Sequence, residues 1–291
     1  MATIVTKDYP LSKRLNGFTL AELLVVLAVL AVLAGLLLPA LARTNKYDSV
    51  AMTCLSNHRQ LALAWRLYTD DNLGNFPPNE ESSTDGDNYV GWVMGWLNYN
   101  GGGSVAGLSG TDDTNLTILI NPKYACLGSY IKNVGVYKCP ADKSCQFGKT
   151  GAPRVRSCSM NAAVGPNSFG TTAGQGGWLP SPPYWVYVKE SDLMAPGAAN
   201  TFLTIDENPD SINDGCFASA MAPTAGWVDF PSPLHDGSTG LSFCDGHCEM
   251  HHWMHLNNMA GVSYVSIASY PSIYPNSDLA WLQQRTSALQ P

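Results

Sequence analysis

The hydrophobic pattern begins with one long apolar run near the start of the chain. Residues 18–38 read FTLAELLVVLAVLAVLAGLLL, and Glu22 is the only charged residue among these 21 positions. A run of this length can cross a bilayer as a helix, because the hydrocarbon core needs about 20 apolar residues. One carboxylate inside such a span costs about 2.5–3.5 kcal/mol. The pattern therefore predicts a transmembrane helix, and the cost suggests a function for Glu22.

A second, amphipathic helical pattern follows the apolar run. Side chains that recur at spacings of four, three, four and three residues define one helix face: Cys54, His58, Leu61, Trp65 and Tyr68. The two patterns together predict one long helix from about Phe18 to Asn72, which Pro39 should kink because proline lacks an N–H donor.

Later segments predict strands separated by turns. Thr201–Asp206 alternates as a half-buried strand, and Asp245-Gly246 lies between two strand-like runs as a two-residue hairpin turn. Further predicted elements are an aromatic strand around Trp92–Trp96, a short helix or turn at 124–130, a strand at 134–139 and a closing helix at 277–288. The predicted fold class is α+β, with the long N-terminal helix packed on an antiparallel β-sheet with long loop insertions.

Charge changes sign along the chain. Lys7, Lys13 and Arg14 precede the apolar run, whereas residues 18–291 carry 13 basic and 22 acidic side chains. Basic residues before a span predict a cytoplasmic N-terminus and an exported remainder. An acidic exported part without a cluster of Lys and Arg argues against nucleic acid as a partner.

All eight cysteines lie after residue 50, in the part predicted to be exported. An even number in an oxidising compartment favours disulfides, although eight cysteines allow 105 pairings.

The N-terminal segment resembles the class III signal of type IV pilins and of type II secretion pseudopilins. Gly17, Phe18, Glu22 at the fifth position after the cleavage point, and Pro39 fit that pattern. The resemblance implies cleavage between Gly17 and Phe18 by a prepilin peptidase, N-methylation of Phe18, and pairing of Glu22 with the amine of a neighbouring subunit. An ordinary signal peptide would have a shorter apolar core followed by its cleavage site.

This resemblance also implies a domain organisation and a set of partners. We expect a cleaved leader at 1–17, a transmembrane and filament-core helix at 18–42, and an exported globular pilin-like domain at 43–291. The expected partners are the bilayer, copies of the chain, other pilin-like subunits, and an inner-membrane assembly platform with its ATPase. The head would be periplasmic, or at the cell surface once assembled.

His235 lies ten residues before Asp245-Gly246. This spacing resembles the H-x9-DG motif at the C-terminus of a large subgroup of pilin-like proteins. The alternative interpretation is local: Asp245-Gly246 forms a tight turn, and His235 hydrogen-bonds nearby backbone.

Two groups of side chains are candidate metal ligands. The oxygen-rich run with Asp206, Asp210 and Asp214 is a calcium candidate, as several similar pseudopilins hold calcium in a loop, while the alternative is a set of Asx turns. On a strand, His247 and His251 would share one face with Glu249, where zinc could bind with His235 as a further ligand. Exposed polar side chains on an edge strand are the other interpretation.

The sequence predicts a structural subunit of a type IV pilus-like or pseudopilus filament. No G-x-S-x-G elbow or Gly-rich phosphate loop is present in the sequence, and we expect no enzymatic activity. The alternative function is a membrane-anchored glycan-binding module that does not polymerise and that uses its aromatic, Gly-rich loops. The other interpretation of the aromatic residues is that they fill the core of the head. This would apply to Trp92, Trp96, Trp185 and Trp227.

Overall fold

The computed structural model describes residues 19–41, 46–79, 90–101, 103, 111–166, 183–221, 226–255, 261–266 and 277–291. It divides into two compact units, Met1–Asn45 and Lys46–Pro291. The predicted processing residues Gly17 and Phe18 lie outside the described residues, as do residues 42–45, where the two predicted helical segments would join. The helices are α1 (Leu20–Leu41), α2 (Lys46–Asp71), α3 (Thr117–Ile120) and α4 (Ser277–Thr286).

The first unit contains α1, which runs through Pro39 and ends at Leu41. Its large apolar side chains between Leu20 and Leu33 are all exposed, by 46–75% of their surface. Among the residues that the structure describes, no helix is both long enough and apolar enough to cross a membrane. The predicted transmembrane character of the N-terminal helix is therefore not confirmed.

The second unit is organised around α2, whose predicted buried face is confirmed. Cys54, His58, Leu61 and Trp65 are 1–2% exposed, whereas Arg59 lies on the outer surface. The helix ends at Asp71, shortly before Gly74 and the Pro77-Pro78 pair that predicted its end.

Within the described ranges, seven strands form two sheets. The smaller sheet pairs β1 (Cys145–Phe147) with β2 (Thr150–Pro153). The larger sheet has the order β5-β3-β4-β6-β7, and its strands are β3 (Cys158–Asn161), β4 (Phe202–Asp206), β5 (Cys216–Phe217), β6 (Ser238–Phe243) and β7 (Cys248–His252). All neighbours are antiparallel except β3 and β5. The predicted sheet was purely antiparallel, whereas β5, which follows β4 in the chain, lies on the far side of β3 and runs parallel to it.

Both faces of the larger sheet are covered. On one face, Leu61 and Trp65 of α2 share a hydrophobic cluster with Leu203 of β4. On the other face, Leu279 and Leu282 of α4 belong to a second cluster that includes Phe202, Ile205, Leu241 and Phe243. β4 is consequently buried along its whole length, and the prediction of a half-buried strand was wrong because a helix covers each side.

Two other predicted strands have a different structure. Residues 134–137 form a 3-10 turn, in which the Asn133 side chain accepts a hydrogen bond of 2.9 Å from the Gly135 N–H. Residues 90–101 form bends and turns, with Trp92 buried. The predicted helix or turn near 124–130 is confirmed as a 3-10 turn at Cys126–Ser129, and the closing helix is confirmed as α4. Shorter 3-10 turns occur at Glu190–Asp192 and Ala198–Asn200.

Gly240 of β6 allows α2 to approach the sheet closely. A Cβ atom at this position would lie 2.8 Å from Cys54 Sγ and 3.0 Å from His58 Cδ2. We predict that Gly240→Ala lowers the free energy of unfolding by about 1–3 kcal/mol, because the helix must move away from the strand. Denaturant unfolding of the variant measures this loss. Gly261→Ala is the matched control, since nothing lies within 4 Å of a Cβ there; equal stability of the two variants would contradict the prediction.

Candidate functional site

Glu22 and Thr19 together cap the N-terminus of α1. The Thr19 N–H donates to Glu22 Oε2 at 2.9 Å, and the Glu22 N–H donates to Thr19 Oγ1 at 3.3 Å. These reciprocal bonds form a capping box, which satisfies two backbone donors at the start of a helix. Besides the assembly role expected for Glu22, the structure shows a local role in capping the helix, which the Thr-x-x-Glu spacing could have revealed.

Four side chains with metal-ligand chemistry meet between α2 and the larger sheet. Cys54, Cys139, Asp206 and His235 are 1–7% exposed, and their ligand atoms all lie within 4.8 Å of one another. We call them the Cys–His–Asp cluster. Each comes from a different place in the fold: α2, the turn after 134–137, the end of β4, and the turn before β6.

Helix and strand periodicity bring these groups together. Cys54 and His58 are one helical turn apart on the buried face of α2. Thr204 and Asp206 are two residues apart on β4, so both side chains point toward α2. Gly240 on the neighbouring strand leaves the space into which the Cys54 sulfur projects.

A row of polar side chains supports Asp206 on the side away from the cysteines. His58 Nε2 lies 3.3 Å from Asp206 Oδ1, and His58 Nδ1 lies 2.7 Å from Thr204 Oγ1. The Thr204 hydroxyl in turn lies 2.5 Å from that of Ser242. The other Asp206 oxygen, Oδ2, lies 2.5 Å from Cys54 Sγ. Each carboxylate oxygen therefore has a polar side chain beside it, and Thr204 holds the imidazole that lies next to Oδ1.

The two thiols of the cluster have opposite tendencies to ionise. A hydrogen bond from Cys54 lowers the pKa of Cys139, against the effect of burial, and His235 Nε2 at 3.1 Å acts in the same direction. The hydrogen bond to Cys139, burial and the Asp206 carboxylate raise the pKa of Cys54. Burial alone would lower the pKa of His235, but its contact with Cys139 raises it overall. The contact between Cys139 and His235 thus lowers the pKa of the thiol and raises that of the imidazole.

The H-x9-DG spacing corresponds to one strand and its two turns. His235 lies in the turn before β6, and Asp245-Gly246 lies in the loop after it. Six strand residues separate these turns by about 20 Å, so His235 and Asp245 do not share a site. The local interpretation is correct for Asp245-Gly246, which forms a turn. His235 does exchange backbone hydrogen bonds with Ser238, and its side chain in addition contacts Cys139.

The hairpin loop is one residue longer than predicted. The Gly246 N–H bonds to the Phe243 carbonyl at 2.9 Å, and Gly246 has a φ of +92°. A turn followed by a left-handed residue is the usual three-residue hairpin loop, and it is why glycine follows Asp245. The Asp245 carboxylate accepts from His247 Nδ1 at 2.6 Å.

The histidines around this hairpin point to separate partners. His247 stacks on Phe243, His251 stacks on Trp281, and His252 Nδ1 lies 3.1 Å from the Ser238 hydroxyl. His235 is in the Cys–His–Asp cluster instead. The structure thus does not bring together the zinc ligands suggested for the His-rich hairpin.

The three aspartates proposed for calcium have different neighbours. Asp206 belongs to the Cys–His–Asp cluster, and Asp214 accepts from the Cys216 N–H at 2.7 Å. Asp210 accepts from the backbone N–H groups of Ser263 and Tyr264. Asx turns, the alternative interpretation, occur at Asn208 and Asp214, each of which accepts from the N–H two residues later. The calcium hypothesis stays a prediction.

All eight cysteines are free thiols in the structure, so the predicted disulfides are not confirmed. Five of them are buried: Cys54, Cys139, Cys158, Cys216 and Cys244. Burial in apolar surroundings raises the pKa of Cys158 and Cys244, which keeps these thiols protonated.

Sequence reasoning missed the Cys–His–Asp cluster because its members are far apart in the chain. The gaps between Cys54, Cys139, Asp206 and His235 match no short metal motif. The one available signal was the Cys54-x3-His58 pair on the buried face of a helix, where two polar residues interrupt an otherwise apolar stripe.

One comparison with known proteins identifies a segment of the chain. Residues 12–38 match the prokaryotic N-terminal methylation motif. This match supports the resemblance of the N-terminal segment to type IV pilin-like proteins. Neither the curated proteins nor the solved structures include a match to the chain.

His251 should make stability depend on pH. Burial between aromatic rings lowers its pKa from 6.5 to about 4, although the Asp278 carboxylate acts in the opposite direction. The folded state therefore holds the neutral ring, and stability present above pH 6.5 is lost as the pH falls toward 4. We expect a loss of about 1–2 kcal/mol, reduced by partial exposure.

Chemical unfolding of wild type and His251→Phe between pH 4 and 7 tests this expectation. The phenylalanine variant retains the stack on Trp281 but cannot titrate, so its stability should fall less on acidification. His252→Gln, at an exposed neighbouring position, is the control and should follow wild type. An identical acid dependence in wild type and His251→Phe would contradict the assignment.

Proposed function

We propose that the chain is a structural subunit of a type IV pilus-like or type II secretion pseudopilus filament. In this proposal, prepilin peptidase cleaves between Gly17 and Phe18, and the subunit assembles through α1 with copies of itself and other pilin-like subunits. The observation that carries the proposal is the methylation motif at residues 12–38, which overlaps a helix covered with apolar side chains. The role is structural rather than enzymatic.

The exposed surface of α1 supports assembly. Apolar side chains surround the helix between Leu20 and Leu33, and no polar face is available to water. A helix that is apolar all round is stable only inside lipid or packed among other apolar surfaces. We propose that this segment first lies in the cytoplasmic membrane, with the head exported, and then enters the core of a filament. An assembly platform and its ATPase would drive the transfer.

In a filament core, Glu22 would have two roles that mutation can separate. Its carboxylate caps α1 through Thr19, and its charge would pair with the Phe18 amine of a neighbouring subunit. Glutamine can replace glutamate in a capping box but carries no charge.

We predict that Glu22→Gln and Glu22→Ala are both cleaved and membrane-associated but form few filaments. Thr19→Ala removes the capping hydroxyl, keeps the charge, and should assemble nearly normally, because a cap is worth only about 1 kcal/mol. Sheared filaments counted by electron microscopy and immunoblotting provide the measurement. Normal assembly of Glu22→Gln with failure of Glu22→Ala would assign Glu22 to capping alone.

Processing gives an independent prediction. Mass spectrometry of the native protein should find an N-terminal peptide that begins at Phe18 and carries one methyl group. Gly17→Val should retain the leader, because the proposed peptidase site requires a small residue before the cleaved bond. Assembled material that begins at Met1 would contradict the proposal.

Electron microscopy of the native assembly also separates the proposed filament types from the alternative function. Long surface fibres indicate a pilus, short periplasmic stubs indicate a pseudopilus, and monomers retained on a glycan matrix indicate the anchored binding module. Of the four tryptophans expected to fill the core if they do not bind glycans, Trp92 and Trp227 are buried, whereas Trp96 and Trp185 are partly exposed. Monomers only, with a processed N-terminus, would reject the filament proposal while leaving the peptidase step intact.

A further inference from the structure

The geometry points to a structural zinc site in the head, formed by Cys54, Cys139, Asp206 and His235. Nothing in the proposed filament role requires this site, and all four of its ligands lie in the head. It differs from the two sites suggested by the sequence, since it uses only one residue of the acidic run and none of the hairpin histidines.

The donor set selects the class of metal. Two sulfurs, one imidazole nitrogen and one carboxylate oxygen are ligands that Zn²⁺ accepts, and four protein ligands complete its tetrahedral shell. Calcium and magnesium require oxygen ligands, so two sulfurs exclude them from this site. The ligand atoms of all four residues lie within 4.8 Å of one another, as four groups around a single ion must.

Burial distinguishes this cluster from the acidic and histidine-rich surfaces common in proteins. The four side chains are 1–7% exposed, so water cannot satisfy them. Buried polar groups without partners carry a large desolvation penalty, and four ligand groups lie together here away from water. A divalent cation at their centre removes that penalty, while the thiol protons leave to solvent when the sulfurs bind.

The surroundings of the cluster resemble the support that metal ligands usually have. His58 Nε2 lies 3.3 Å from Asp206 Oδ1 and, in the described part of the chain, forms no hydrogen bond of its own. The Cys139 N–H donates to the Ser157 hydroxyl at 2.7 Å, which fixes the backbone beside the ligand. Outer contacts of this kind orient metal ligands and tune their affinity.

The location indicates what the zinc would do. Cys54 lies on α2, whereas the other three ligands belong to the sheet and its connecting turns. A single ion would therefore hold α2 against the rest of the head. It would also close the three long chain segments that separate the four ligands. No ligand position is left open within the set of four, which is typical of structural rather than catalytic zinc.

The first test is metal analysis of the full-length protein purified in detergent without chelators. We expect about one zinc per chain. X-ray absorption at the zinc edge should show two sulfur and two nitrogen or oxygen neighbours, with zinc–sulfur distances of about 2.3 Å. This measurement uses wild type, so it does not depend on any variant folding.

Variants then assign the ligands. Cys54→Ser, Cys139→Ser and His235→Ala should each lose most of the zinc, whereas Cys145→Ser and His247→Ala, which lie outside the cluster, should keep it. Cobalt substitution of wild type should produce thiolate-to-metal charge-transfer absorption that Cys139→Ser loses. Removal of zinc by a chelator should lower the thermal midpoint of wild type.

Three outcomes would overturn the assignment. The first is wild type without zinc and with a Cys54–Cys139 disulfide in non-reduced peptide maps. The second is zinc that is retained by all three cluster variants. The third is zinc that is lost from His247→Ala but not from His235→Ala, which would place the metal at the hairpin. None of these outcomes bears on N-terminal processing, so failure here and failure of the filament proposal are distinguishable.

Discussion

Burial of one carboxylate, Asp206, is the constraint on which the arrangement of the head depends. The side chain ends β4 directly beneath α2 and is 2% exposed. A lone ionised carboxylate in this position would cost several kcal/mol. Polar side chains of α2 therefore lie against it: Cys54 Sγ donates to Oδ2, and the His58 ring, held by Thr204, lies 3.3 Å from Oδ1. The position of Gly240 follows from the same requirement, because any side chain there would push the helix away.

The two halves of the α2 interface have different physical roles. Toward its C-terminal end, Leu61 and Trp65 enter a hydrophobic cluster, and such packing is strong but has little directional preference. Toward its N-terminal end, the contacts of Cys54 and His58 are polar and depend on specific distances. Apolar packing thus supplies most of the stability, while the polar half fixes the rotation and axial position of the helix against the sheet. A zinc ion in the cluster would make that positioning rigid.

Local periodicity was enough to predict the parts of this fold that depend on local rules. The buried face of α2, the hairpin at Asp245-Gly246 and the closing helix were all predicted correctly because each has a short-range signal. The strand expected at 134–139 was wrong, since Asn133 caps a 3-10 turn there. The burial of β4 depends on the helices that cover both faces of the sheet, and the parallel β3–β5 pair depends on the order of the strands. No single segment of the sequence contains this information. The Cys–His–Asp cluster was invisible for the same reason, as its four members meet only after the sheet has formed.

The number of residues between His235 and Asp245 sets the length of one interior strand. These residues comprise a turn, β6 and the start of a loop. Alternate residues of β6 face opposite layers: Gly240 and Ser242 face α2, while Leu241 and Phe243 enter the other cluster. Insertion or deletion of one residue would exchange these two sets and place leucine where the helix needs glycine. Both layers can therefore pack on β6 only if the number of residues between His235 and Asp245 is kept. This requirement does not depend on what His235 binds.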